Sequence, residues 1–146
     1  MTAIAERKAY NSRLKHVEAE LYQYPHIVKE IEKRRMELLY PYQEYVDENQ
    51  GKGVNSVRAI SRQTERIATR LVEDRKLRNY EEIADAIERV YNGLDKNQMK
   101  FVRVKYWSGK NYSAIQVADM INVSERTCHY YRKKVLEEIG HIIGWV

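Results

Sequence analysis

One cysteine, two prolines, one phenylalanine and six glycines in 146 residues make this a chain of shortages, and each shortage removes a class of protein. With Cys128 alone there is neither a disulfide framework nor a cysteine-based zinc site, and the thiol reads as a small apolar filler in a reducing compartment. No apolar run approaches the ~20 residues that span a bilayer. The opening MTAIAERKAY also lacks the apolar stretch of a signal peptide, so a cytoplasmic protein without membrane association is expected. Strand-like alternation is missing, and so few prolines and glycines leave long stretches of helical period. The expected fold is all-α. There is no glycine-rich phosphate loop, nucleophile elbow or spaced carboxylate pair, and His16, His26, His129 and His141 have no companions at metal-ligand spacing. Neither catalysis nor a metal or other cofactor is expected.

Charge is abundant and unevenly placed. Lys96 to Glu138 holds nine Lys/Arg against four Asp/Glu, whereas the residues before it carry seventeen of each, so the whole formal charge of +5 sits in that stretch. A local cationic excess suits a module that approaches phosphates, although a basic helix can equally be a solvated face.

Within that stretch, YSAIQVADMINVSERTCHYYRKKVLEEI has the constraints of a helix-turn-helix. Ser113 followed by Gln116 is a capping box, and Ala118 is small enough for a second helix to cross closely. Asn122 falls where the turn needs a left-handed backbone, which asparagine tolerates better than other non-glycine residues. Val123 anchors the turn and Ser124 caps the following helix. Cys128, Tyr131 and Val135 then recur on one face, leaving Glu125, Arg126, His129, Tyr130 and Lys133 on the other.

The remainder reads as further helices. Tyr10, Leu14, Val17, Leu21 and Tyr24 form an apolar seam that asks for a partner helix, within the chain or in a second copy. Pro25 is expected to end or restart that helix, with a second from His26 to Leu39 and a break at Pro41. Asp47 to Ser56 is a polar, glycine-containing connection. A third helix carries Val57, Ile60, Thr64, Ile67 and Leu71 on one face and Arg58, Arg62, Arg66 and Arg70 on another. That arginine row either touches phosphates or forms a solvated face paired with Glu65, Glu73 and Asp74, the second being the simpler reading. Asn79 with Glu82 is a capping-box start for a fourth helix stopped at Gly93, and Asp95 with Gln98 starts a fifth through Trp107. The expected organisation is an N-terminal helical interaction region over 1–50, a linker and connecting helix over 51–78, and a DNA-binding helix-turn-helix domain over 79–146.

Glu125, Arg126, His129 and Tyr130 occupy the first turns of the last helix, where side chains of this motif reach base edges. Arg126 has the planar fork that pairs with guanine O6 and N7; the alternative is a phosphate contact, and Glu125 either steadies Arg126 or accepts from cytosine N4. Lys110, Asn111, Tyr112 and Ser113 precede the first motif helix and, with Thr127, Arg132, Lys133 and Lys134, are candidate phosphate contacts; for Tyr112 packing is an equal alternative. The implied partner is double-stranded DNA.

The segment from Leu94 to Gly140 resembles region 4 of bacterial sigma factors, through Leu94, Tyr106, Ala118, Val123, Ser124, Val135 and Leu136. Nearly the whole chain resembles the RinA-type phage transcriptional regulators, relatives of the ArpU-type regulators. The marks are LYQYPHIVKEIEK, SRQTERIATRLVED, YEEIADAIERVY, VKYW, SERT and IGHIIGW. This resemblance implies a DNA-binding activator of late phage genes, including packaging and structural genes, that acts with host RNA polymerase. Two rivals predict different behaviour: a small terminase subunit would form a ring and recognise packaging sites, and a purely structural helical adaptor would not bind DNA.

Overall fold

The computed structural model describes residues 2–40 and 54–146. These residues form six helices and, among the described residues, no strand: α1 (Ala3–Leu39), α2 (Val54–Glu73), α3 (Arg75–Asn92), α4 (Lys96–Tyr106), α5 (Ala114–Ile121) and α6 (Glu125–Ile143). The all-α expectation is met. Pro41 and the greater part of the expected connection over Asp47–Ser56 lie outside the described residues, while Val54 to Ser56 already belong to α2.

Two expected boundaries are corrected. Pro25 lies inside α1 and does not end it. A proline removes the amide that would bond to the carbonyl four residues back, here Leu21, and the indole Nε1 of Trp107 donates to that same carbonyl at 3.1 Å. The second correction concerns α3, which starts at Arg75 and leaves Asn79 exposed within it. Asp74 takes the capping role: its Oδ1 accepts from the Leu77 amide at 2.8 Å. The Asn79–Glu82 spacing is a pattern without a helix end to cap.

The chain divides into two units, one made of residues up to Ile27 together with Glu82–Val146, the other of Val28–Glu81. In the first, one apolar cluster draws Leu14, Val17 and Leu21 from α1, Ile87 and Val90 from α3, Phe101 and Val102 from α4, Val117 and Ile121 from α5, and Val135, Leu136 and Ile139 from α6. The seam of α1 is therefore covered within the chain, by the first of its two expected kinds of partner. After α6, Gly144 turns with φ 88°, and the amides of Gly144, Trp145 and Val146 all reach the Gly140 carbonyl. Val146 comes so close that a side chain on Gly140 would meet it, which accounts for glycine there.

In the second unit Ile31, Leu38 and Leu77 are buried. Arg34 places Nε and Nη2 on Asp74 Oδ2 at 3.2 and 2.6 Å, and Arg35 places Nε and Nη2 on Glu81 Oε1 at 3.1 and 2.6 Å. Asp74 is thus both helix cap and ion-pair partner.

Candidate nucleic-acid interface

The three C-terminal helices are set by local chemistry. Asp95 and Ser113 each form a complete capping box, with Gln98 and Gln116 respectively, so α4 and α5 start where the sequence places them. Asn122 has φ 56° and ψ 47°, the left-handed conformation expected of it, and its amide bonds to Ala118 O, which also accepts from the Val123 amide at 3.0 Å. These two bonds satisfy a carbonyl that the end of α5 would leave open. Ser124 then accepts from the Thr127 amide at 3.1 Å, and α6 begins at Glu125. Only Asn122, Val123 and Ser124 separate the two helices.

That turn aims α6. Its inner face, Cys128, Val135, Leu136 and Ile139, is buried, and burial raises the pKa of the Cys128 thiol. Its outer face carries Glu125, Arg126, His129, Tyr130 and Lys133, all exposed, with Tyr130 62% exposed despite its ring. Glu125 lies 3.5 Å from His129 one turn on, so two of the four candidate base readers are neighbours. Lys133 approaches Glu137 at 3.8 Å but keeps most of its side chain in solvent.

The candidate phosphate contacts divide more sharply. Lys110 and Asn111 are exposed next to Gly109, whose φ of 73° turns the loop before α5. Tyr112 packs against the core, as its alternative reading proposed. The hydroxyl of Ser113 is committed to its capping box, and that of Thr127 shares a hydrogen bond with Ser124 Oγ at 2.9 Å. Lys134 is half-buried. The guanidinium of Arg132 forks onto Glu18 of α1, Nε to Oε2 at 2.7 Å and Nη2 to Oε1 at 3.1 Å. Two of the five guanidinium donors are thereby engaged within the fold, so Arg132 acts first as the partner of Glu18.

Glu18 is the residue that sequence reasoning missed. It also accepts from Tyr106 Oη at 2.8 Å. Burial by itself would raise its pKa, but the bonds from Arg132 and Tyr106 outweigh that and hold the carboxyl below the usual range. Tyr106 is pushed upward, chiefly by burial. Glu18 lies four residues after Leu14 and one after Val17, beside the apolar seam, but Glu20 stands beside it in the same way, so the sequence alone did not single out Glu18. Among the described residues no group of three or more His, Cys, Asp or Glu is placed to hold a metal, and no helix is long and apolar enough to cross a membrane.

Fold and site together define an all-α protein whose last two helices, joined by a tight left-handed turn, present a polar outer face. The chain belongs to a family described as protein of unknown function (DUF722), whose model matches residues 13–141. It is similar to the transcriptional activator rinA of Staphylococcus phage phi11, with 25% identity over 133 residues, 91% of each chain. Match and relative bear out the resemblance to RinA-type regulators. No solved structure matches.

Proposed function

We propose that this protein is a sequence-specific DNA-binding transcriptional regulator of a phage or prophage, which activates late genes for packaging and structural proteins together with host RNA polymerase. The observation that carries the reading is the two-faced α6: a buried inner side fixed by the Asn122 turn, and an outer side of Arg126, His129 and Tyr130 exposed at its start. In a helix-turn-helix the first turns of the second helix enter the major groove, and the basic excess of Lys96 to Glu138 supplies the attraction to phosphate. The name of the phage phi11 relative, a transcriptional activator, supports the regulatory role.

In this reading Glu125, Arg126, His129 and Tyr130 face base edges, and Lys110, Asn111, Lys133 and Lys134 grip the backbone. The protein acts in the host cytosol by binding alone, without catalysis. Mapping the DNA bound by the protein across the phage genome in induced cells tests the proposal. Occupancy upstream of late genes supports it. Occupancy inside a terminase gene by a closed ring of subunits would replace it with a packaging role.

A further inference from the structure

We infer that the arginine row of α2 is a second DNA-contacting face, which lies along the phosphate backbone and reads no bases; the inference rests on the DNA-binding reading above. Arg62, Arg66 and Arg70 are all exposed on one helix, spaced by four residues. The simpler interpretation of such a row is a solvated face neutralised by nearby acids, and it names Asp74 among them. Asp74 is not available. Its Oδ2 receives Arg34 twice, at 3.2 and 2.6 Å, and its Oδ1 receives the Leu77 amide at 2.8 Å. Glu65 is exposed, and among the described side chains no carboxylate lies within ion-pair distance of Arg62, Arg66 or Arg70.

Unpaired like charges one turn apart repel, so the row weakens the helix that carries it unless an anion lies against it. Its geometry suits a strand of phosphates. Each step of four residues advances about 6 Å, so the three side chains cover about 12 Å of helix. A DNA strand presents one negative charge per about 3.4 Å of duplex axis, which sets about three phosphates against the row. Guanidinium groups bind phosphate oxygens in a bidentate fork, and a polymer of evenly spaced phosphates matches a periodic row better than the scattered carboxylates of an acidic protein surface.

The test uses the full chain and a random-sequence DNA duplex, because a backbone contact needs no particular site. The triple variant Arg62→Gln, Arg66→Gln, Arg70→Gln should bind more weakly, and its slope of log affinity against log salt should fall by about two to three units, at about 0.9 per phosphate released. The corresponding triple lysine variant should keep the slope, since charge carries the effect. Arg66→Gln alone should lower the slope by about one unit and decides the matter should the triple variant melt early. An unchanged slope in the glutamine variants overturns the inference, and overturns it equally if those variants lose transcriptional activation, which would assign the row to an acidic protein partner. A wild-type chain with no salt-dependent affinity for DNA sinks the proposed function as well, so the two failures are distinguishable.

Discussion

The indole nitrogen of Trp107 donates to the main-chain carbonyl of Leu21 at 3.1 Å, and that carbonyl is the one Pro25 leaves without a helical donor. The indole ring also stacks against Tyr24 and Tyr91, with centroids 5.0 and 4.9 Å away, so the donor is held in place by packing. Trp107→Phe should therefore cost about 1–3 kcal/mol in chemical denaturation, the range for leaving a partly buried carbonyl unsatisfied. Pro25→Ala restores the missing amide. The double variant should be less destabilised than the sum of the single changes, and strict additivity would show that the two residues do not share this carbonyl.

A pH dependence follows from Glu18. Its folded pKa is held below the ordinary 4.5, with the bonds from Arg132 and Tyr106 outweighing burial, so its contribution to stability is complete above that value and is lost as pH falls through the lower, folded one. Glu18→Gln should lower stability at neutral pH by about 1.5–3 kcal/mol, the range for hydrogen bonds to charged groups, and towards the low end because Arg132 is partly exposed. The deficit should shrink below pH ~4.5 as the wild-type carboxyl takes up its proton. Thermal melts of both proteins across an acid series would show convergence; parallel curves would refute the ion pair.

Asn122 offers a backbone test. At φ 56° a side chain with a plain Cβ is strained, whereas glycine is at ease. Asn122→Ala should cost about 1 kcal/mol, the lower end of the left-handed penalty, while Asn122→Gly should be neutral or slightly stabilising. If alanine melts with the wild type, the left-handed turn does not form in solution.

The core of the first unit predicts what truncation does. Leu14 and Leu21 are 4% and 1% exposed, and each replaced by alanine should lose about 2–5 kcal/mol. Because folding free energies of domains are only about 5–15 kcal/mol, a fragment from Asn79 onward, which lacks Leu14, Val17 and Leu21, should show no cooperative melt. A sharp transition for that fragment would mean that α1 is dispensable to the fold.

If α6 binds DNA as proposed, base reading and phosphate gripping should separate along it. Arg126→Ala should lose about 1–3 kcal/mol on the mapped site and little on random DNA, reducing specificity. Lys133→Ala, whose contact with Glu137 is long and exposed, should weaken both alike and lower the salt slope by about one unit. Equal losses for Arg126→Ala on both DNAs would pass the reading role to Glu125, His129 or Tyr130.

The caps at Asp95, Ser113 and Ser124, the left-handed Asn122 and the two faces of α6 were all legible in the sequence. Each depends on residues three or four apart, whose relation is settled as soon as one turn of helix forms. Tertiary structure decided the rest. Pro25 continues a helix because Trp107, 86 residues away from Leu21, supplies the lost donor. Arg132 is bound into the fold because Glu18, 114 residues away, accepts from its guanidinium. The seam of α1 fixes which face is apolar, but a helical period does not name the partner that covers it. That choice belongs to the cluster around Leu21 and Phe101, where burial of apolar surface is non-directional and is decided only when all the helices meet.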